Sequence, residues 1–457
     1  MSTVSRETIF ALATPFSRSA IAVVRVSGPQ AHSSLALFLP EAQKVPSPRT
    51  ARLSPLHDPQ SKEIIDQALV LVFKAPASFT GEDIVEYHLH GSIAVINAML
   101  EALGQMDGHR MAEPGEFTRR AFENGKMDLT SAEAVNDLIV AETESQRTQA
   151  LDQLGGALST LYESWRESLV KTAAYLEATI DFADEDLPQS EITVKIRPSI
   201  EELHSSITQH LNDNRRGERL RSGIKIAVIG APNAGKSSLV NALAQRDVCM
   251  TSDIKGTTRD VIEVHLNLGG YPAIVSDTAG LRPEEIDTKQ DQDRLESEGI
   301  RRALKVAQEA DIRLLVFNGP DIPDLHNDTL ALMREHDIAL INKSDLLARK
   351  APQEINGQPP LLISALENTG LHELIRRLTR HIERVLGARS GPVPTRARHR
   401  QALEKAQAAL DCALDDKEFE LIAEDLRSAA RAIGSITGRI DVDNLLDVIF
   451  RDFCIGK

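Results

Sequence analysis

Cysteine is scarce in this chain of 457 residues. Cys249, Cys412 and Cys454 lie far apart and make neither a metal-ligand spacing nor a disulfide framework, which fits a reducing compartment. Basic residues are also in deficit, 52 against 67 acidic, and the formal net charge of −15 excludes a general coat for nucleic acid. Any contact with RNA must come from local patches. No apolar run approaches the roughly 20 residues of a membrane span. The apolar stretch Ile9 to Ala13, cut short by Pro15 and preceded by Glu7, lacks the form of a secretion signal. A cytoplasmic protein without membrane association is expected. The first 120 or so residues contain no nucleotide-binding glycine pattern, and no flavin site is recognisable along the chain.

What is present is Gly230-Ala231-Pro232-Asn233-Ala234-Gly235-Lys236-Ser237-Ser238, a G-x-x-x-x-G-K-[ST] sequence. It follows the apolar run Ile224 to Ile229, which reads as a buried parallel strand, and precedes Ser237 to Ala244, which reads as a helix. The bland alternative is a glycine-rich turn with an incidental lysine. Strand, loop, Lys-Ser and helix in this order favour a phosphate cradle. Glycines at 230 and 235 let backbone N–H groups and the helix N-terminus close on an anion. Lys236 is expected at the β/γ-phosphates, and the Ser237 hydroxyl on Mg²⁺.

Three further elements follow at strand ends. Asp277-Thr278-Ala279-Gly280 resembles the DxxG element in which an aspartate organises Mg²⁺. Asn342-Lys343-Ser344-Asp345 resembles the NKxD motif, and Ser364-Ala365-Leu366 resembles its supporting SA[KL] loop. The Asp345 carboxylate, an acceptor only, can take both N–H groups of guanine's Watson-Crick edge, where adenine would oppose it with an unprotonated ring nitrogen. GTP is therefore the expected nucleotide, because an ATPase leaves Asn342 and Asp345 unexplained. Within Gly256-Thr257-Thr258-Arg259-Asp260, Thr258 is the natural switch threonine that senses γ-phosphate and completes the Mg²⁺ shell. Leu281 stands where Ras-like enzymes carry a water-positioning glutamine, so hydrolysis must use another group.

The chain changes character along its length, which predicts a multidomain α/β and α protein. Residues 1–120 alternate β-like and helical runs and read as an α+β domain. Ala20–Val26, Ala68–Phe73 and Ile84–His90 read as strands, Pro29–Leu39 and Ser92–Leu103 as helices, and Pro46, Pro48, Pro55 and Pro59 as marks of surface loops. Arg25 and Glu86 interrupt half-buried strands, with Tyr87, His88 and His90 beside Glu86, and are expected on a solvent face or paired. Residues 121–222 read as a helical domain's first part, almost continuous helix from about Leu129 to Leu211 and ending in the basic run Arg215–Gly223, either a solvated hinge or an RNA contact. Residues 223–384 alternate strands and helices, predicting a doubly wound, mostly parallel sheet with its ligand beyond the strands' carboxyl ends. Helical spacing resumes in 385–457, which would complete the helical body around an inserted Ras-like P-loop domain.

The whole set resembles the tRNA-modification GTPases of the MnmE/TrmE family, which act on the wobble uridine, and the likeness spans all 457 residues. Its most specific marks are Phe79-Thr80-Gly81-Glu82-Asp83, Pro114-Gly115-Glu116-Phe117-Thr118, Gly256–Asp260 and the terminal Cys454-Ile455-Gly456-Lys457. The resemblance implies an N-terminal domain that binds tetrahydrofolate and dimerises, a helical domain built from two separated segments, and a GTPase domain inserted within it. It implies a homodimer that joins a flavin- and NADH-dependent partner, MnmG/GidA, in a heterotetramer acting on tRNA. A 5-formyl- or 5,10-methylene-tetrahydrofolate would supply one carbon, and glycine or ammonium the amine, for a carboxymethylaminomethyl or aminomethyl group. A GTP-dependent ribosome-assembly or signalling switch would use the same GTPase motifs. The folate positions and the Cys-Ile-Gly-Lys terminus discriminate against it.

Site residues carried over from the resemblance fall on matching positions. Folate contacts fall on Arg25, Glu86, Lys126 and Lys457. K⁺ would be held by Asn233, by carbonyls of Ser252 and Ile254 in the switch segment Ser252-Asp253-Ile254-Lys255-Gly256-Thr257-Thr258, and with support from Thr257. Such a cation neutralises transition-state charge much as an arginine finger does. Asn233 could instead merely support its loop. In Leu295-Glu296-Ser297-Glu298-Gly299-Ile300, Glu296 would orient the attacking water, with Glu298 as the second candidate and a solvated acidic loop as the alternative. Cys454 is either a nucleophile or modulator, or a packing residue.

Overall fold

The computed structural model describes residues 7–181, 189–246, 263–277, 305–387, 391–415, 418–440, 443–451 and 453–456. The chain forms two compact units, one drawn from residues 1–136, 153–199 and 408–457, the other from 137–152 and 200–407.

In the first unit, six strands make one sheet: β1 (Thr8–Leu12), β2 (Ser19–Ser27), β3 (Arg52–His57), β4 (Ile64–Phe73), β5 (Ile84–Gly91) and β6 (His109–Met111). Their order is β3-β4-β5-β2-β1-β6, antiparallel except for the parallel pair β1 and β6. Side chains alternate across the sheet, so each strand divides its residues between two faces. Val24, Val26, Val70, Val72, Tyr87 and Leu89 form one buried layer with Leu35 and Phe38 of α1 (Ala31–Phe38) and Met99 and Leu103 of α2 (Ile93–Gly104). The interleaved residues face the other way. Register there sets Leu71, Glu86, Arg25 and Ala11 side by side across four strands.

One segment had no secondary structure assigned from the sequence, and a second differs from its reading. The apolar stretch at Ile9 is strand β1, too short to declare itself by period, and it is buried between β2 and β6. Pro55 lies not in a loop but in β3, at the sheet edge, the position where a residue lacking an N–H is tolerated.

The helices α3 (Glu116–Glu123), α4 (Leu129–Ile139), α5 (Glu144–Leu154) and α6 (Ala157–Asp181) follow. α6 packs along the helix Phe419–Thr437, burying Leu158, Leu169 and Leu176 on one side and Leu426 and Ile433 on the other. Thr437 Oγ1 donates to Glu163 at 2.8 Å, and Arg427 meets Glu177 at 2.5 Å, fixing the register of the pair. The last helix, Asp443–Arg451, closes on α3 and α4 through Phe450, Leu446, Leu129 and Ala132.

The second unit carries the other sheet: β7 (Ile224–Gly230), β8 (Glu263–Leu268), β9 (Tyr271–Asp277), β10 (Ile312–Asn318), β11 (Ile338–Asn342) and β12 (Leu361–Leu362). Its order is β12-β11-β10-β7-β9-β8, parallel except for β8 at the edge. Gly269 and Gly270, at φ 65° and 91°, make the β8–β9 hairpin turn. The helices α7 (Gln189–Leu211), α8 (Arg216–Ser222) and α9 (Lys236–Ala244) lead into and out of β7. The basic run expected as a hinge or an RNA contact is thus largely the helix α8. Its arginines are engaged within the unit, Arg219 with Asp311 at 2.8 Å and Arg221 with Asp137 at 3.0 Å. Arg400 binds Asp213 at 2.5 Å and Glu218 at 2.7 Å, so the segment entering the sheet and the segment leaving it are tied to one guanidinium.

Beneath β10, Arg313 and Asp337 form a buried two-pronged pair at 3.0 and 2.5 Å, and Asp337 also accepts the Arg334 amide at 2.7 Å. Removing one partner would strand the other charge in the interior. Asp337→Ala is expected to cost about 3–5 kcal/mol in urea unfolding, with much of it recovered when Arg313→Leu is added.

Candidate functional site

The carboxyl ends of β7, β9, β11 and β12 bring three of the nucleotide motifs, and Asp277 of the fourth, to one edge of the second sheet. β7 ends at Gly230, where the chain passes so close to β10 that an added Cβ would lie 2.3 Å from the Val316 carbonyl oxygen. The loop then needs two left-handed residues, Asn233 at φ 63° and Gly235 at φ 87°, before α9 begins at Lys236. Lys236 is buried, and its Nζ donates to the carbonyls of Gly230 at 3.0 Å and Ala231 at 2.9 Å. Its ammonium is therefore held over the loop that the N–H groups of α9 line. Ser237 and Ser238 stand exposed in the first turn of that helix, and Ala234 is buried beneath it.

Asn342 ends β11 and is 1% exposed. Its Nδ2 donates to Ala234 O at 3.0 Å and Gly235 O at 3.4 Å, while its Oδ1 accepts the Ala365 amide at 3.1 Å. One amide side chain thus ties the phosphate loop, the turn after β11 and the Ser364-Ala365-Leu366 loop. Lys343, left-handed at φ 57°, donates from Nζ to Asn233 O at 2.7 Å. Ser344 N reaches Ile363 O at 3.0 Å, and the buried Ser364 hydroxyl caps Glu367 N at 3.1 Å. These bonds fix the turn on which Asp345 is exposed, its carboxylate accepting no hydrogen bond among the described residues. The sequence pointed to Asn342 by motif. Its role as the tie between loops, and Gly319 pressed against its carbonyl, were not readable there.

Asp277 ends β9, paired in register with Val228 of β7. Ser252, Asp253, Ile254, Lys255, Gly256, Thr257, Thr258, Thr278, Ala279, Gly280, Glu296 and Glu298 lie outside the described residues. Lys457 does as well. Among the described residues no group of three or more His, Cys, Asp or Glu is arranged to hold a metal.

On the first sheet, Arg25 and Glu86 are paired, Nε to Oε1 at 2.9 Å, which resolves the choice left by their sequence positions. The guanidinium of Arg25 lies 5.5 Å from the Phe79 ring centroid and 5.8 Å from that of Phe117. Both aromatics belong to segments that the sequence singled out only as family marks. The segments that carry these rings also hold a network in which the buried Arg120 binds Glu82 at 3.1 Å and Glu116 at 3.0 Å, Glu82 accepts from Ser27 at 2.8 Å, and the partly exposed Arg110 forks onto Glu116. Burial pushes the Glu116 carboxyl up, but Arg110, the Glu113 amide and Arg120 outweigh it and hold it below the usual carboxylate range. The stabilisation that Glu116 contributes is therefore complete above the ordinary carboxylate range and is lost as pH falls through its depressed range.

A groove of about 700 Å³ beside this pair is lined by Arg49, Leu71, Phe73, Ala77, Ser78, Phe79 and Lys126. Lys126 Nζ donates to Pro76 O at 2.9 Å. Arg49 had no signal in the sequence beyond its place in a proline-marked loop. At the far end of the chain, Gly115 N donates to Cys454 O at 3.4 Å, and Gly456 sits where a Cβ would lie 2.3 Å from Leu12 O. The terminal turn is thus seated on the end of β1, next to the strand that carries Arg25. The Cys454 thiol is exposed and has no hydrogen-bonded base among the described residues.

Two family models match the chain. Residues 8–126 match the family model described as the GTP-binding protein TrmE N-terminus, and residues 129–454 that described as the MnmE helical domain. The protein named tRNA modification GTPase MnmE of Parvibaculum lavamentivorans is 50% identical over 455 residues, covering 99% of this chain and 100% of that one. Its namesake in Paramagnetospirillum magneticum is 49% identical over 451 residues, with 99% and 100% covered. That of Rhodospirillum rubrum is 48% identical over 462 residues, with 99% of each covered.

At Gly235 a Cβ would fall 2.2 Å from Asn342 Nδ2, on backbone at φ 87°. Gly235→Ala is expected to break the Asn342 tie and lower guanine-nucleotide affinity by on the order of 100-fold, read by fluorescent-nucleotide titration. Unchanged affinity would show that the tie does not hold the cradle.

Proposed function

The chain belongs to the family of tRNA modification GTPases named MnmE, and from that premise we propose that it hydrolyses GTP to drive modification of the wobble uridine of certain tRNAs. The observation that carries the nucleotide part is the Asn342 amide, which joins the phosphate loop to the two loops that would enclose guanine. In this reading Asn233, Ala234, Gly235, Lys236, Ser237 and Ser238 cradle the phosphates, and Asp277 stands at the metal edge. Asp345 takes the N1–H and exocyclic N–H of guanine, with Lys343, Ser364, Ala365 and Leu366 walling the base. The residues present fit this group, because Gly230 and Gly235 leave no room for a side chain and Lys236 is held over the loop.

Ser237 and Thr258 would hold Mg²⁺, which would supply positive charge to offset that of the phosphates. Asn233 is exposed at the loop apex, left-handed and with its carbonyl fixed by Lys343, a fit for a ligand of K⁺ together with Ser252, Ile254 and Thr257. Glu296 would orient the attacking water. Lys236 and Thr258 would stabilise the transferring phosphoryl group, and Cys454 would modulate the modification step.

The first unit would bind a 5-formyl- or 5,10-methylene-tetrahydrofolate through Arg25, Glu86, Lys126 and Lys457. The paired Arg25 and Glu86, framed by Phe79, present a donor and an acceptor edge to a flat pterin. Held there, such a folate would supply one carbon for a carboxymethylaminomethyl or aminomethyl group at uridine C5. The sheet face that α1 and α2 leave open carries Ile21 at 58% and Leu53 at 66% exposure, which supports homodimerisation through the first 120 or so residues. An FAD- and NADH-dependent MnmG/GidA partner would complete a heterotetramer. The functional divisions are 1–120 for folate and dimerisation, 121–222 and 385–457 for the helical body, and 223–384 for the GTPase. No described helix is long and apolar enough to cross a membrane.

Asp345→Asn replaces an acceptor by a donor, so GTP affinity is expected to fall on the order of 100-fold while xanthosine triphosphate, with a carbonyl at the same ring position, gains. Retained guanine preference would overturn the base assignment. Hydrolysis by the unaltered protein is expected to run faster in KCl than in equal NaCl, and Asn233→Ala to remove the difference. Equal rates in both salts would remove the cation from the scheme. Mass spectrometry of wobble nucleosides from cells lacking the protein tests the pathway itself, and unchanged modification would refute it.

A further inference from the structure

Arg49 lies in the loop before β3 with its backbone left-handed, at φ 61°. A side-chain-bearing residue takes that conformation only where its surroundings impose it. Here the Arg49 amide donates to Val72 O at 2.7 Å, pinning the loop to β4. The guanidinium then reaches Ala77 O at 3.3 Å, one residue beyond the carbonyl that holds Lys126. Two cations thus rest on the neutral carbonyls of consecutive residues, and neither pairs with a carboxylate among the described residues. In a chain of net charge −15, where Arg25, Arg110 and Arg120 of the same unit are all neutralised by glutamates, that is a local surplus.

The surplus borders an apolar groove. Leu71, Phe73 and Phe79 line it with the two cations, Leu71 stands beside Glu86 in register, and Phe79 lies against Arg25. An aromatic groove with a donor–acceptor pair near it and two unneutralised cations on its lining suits a flat, ring-linked ligand that ends in carboxylates. Resting on the folate reading, we infer that Arg49 binds the glutamate carboxylates of the folate tail. It acts with Lys126, while Leu71, Phe73 and Phe79 hold the ring that links tail to pterin. A guanidinium fork matches a carboxylate in two-pronged geometry, and a second glutamate on the same tail would find the second cation. The site therefore selects for tail length. A tail of several glutamates binds more tightly than one, and one more tightly than none.

The test uses the full-length protein and three probes: 5-formyl-tetrahydropteroate, which has no glutamate, 5-formyl-tetrahydrofolate with one, and its form with three. Calorimetric titration of the unaltered protein is expected to rank them three above one above none. Arg49→Asn keeps a residue suited to left-handed backbone while removing the charge. It is expected to weaken the glutamate-bearing probes by about fivefold to tenfold, or about 1–1.4 kcal/mol, and to leave the glutamate-free probe unchanged. Arg49→Lys, which keeps the charge but not the fork, should restore part of the loss. Three outcomes overturn the inference. In one, Arg49→Asn discriminates among the probes as the unaltered protein does. In another, the unaltered protein binds all three equally. If the unaltered protein binds none of them, the folate reading falls as well, which separates the two failures.

Discussion

The buried amide of Asn342 is the constraint on which the second unit's functional edge depends. A side-chain amide offers donors on one side and an acceptor on the other, and this one spends both on backbone groups of loops more than 20 residues distant in sequence. Burial makes those bonds matter, because an unpaired polar group in that position would cost its full desolvation. The two glycines that crowd it, Gly235 and Gly319, are the other half of the arrangement: side chains there would overlap its amide or its carbonyl. Strand order delivers the loops, and one residue locks their spacing.

The first unit solves a different problem. Its sheet has two faces of opposite character. On one, valines, Tyr87 and two helices make a dry core. On the other, the Arg25–Glu86 pair sits in the middle of a row whose neighbours are Leu71 and Ala11. A charge pair half-buried on an apolar sheet face would be poorly compensated alone. Phe79 and Phe117 stack on the guanidinium, and the Arg120, Glu82 and Glu116 network holds the segments that carry those rings.

Much of this was legible in the sequence where periodicity and motif agreed. The run Ile224 to Ile229 followed by Gly-x-x-x-x-Gly-Lys-Ser could only be a strand, a loop and a helix, and β7 and α9 stand there. Asn342 and Asp345 were visible because they stand in an Asn-Lys-x-Asp pattern directly after an apolar run. Pairing of Arg25 with Glu86 was one of two readings and needed register to decide it, since the residues are 61 apart. Strand β3 was hidden because Pro55 signals a loop wherever edge position is unknown. α8 was hidden because a run of arginines reads as solvated until Asp137 and Asp311, distant in sequence, are brought to meet it. Arg49 was invisible for the same reason, its meaning residing wholly in what the fold sets beside it.

Helix α5 bears on how the molecule can be dissected. Its first turn presents the Ser145 amide and hydroxyl to the Gly270 carbonyl, at 3.1 and 2.6 Å, while Gln146 and Gln149 reach the carbonyls of Arg221 and Gly217. A recombinant fragment cut at residue 223 would keep every motif yet surrender these supports, leaving the hairpin apex to water and the head of β7 untethered. Truncation that respects motif boundaries thus severs the stitching, and a faithful excision would have to retain residues 137–152 by covalent redesign rather than by choosing a start codon.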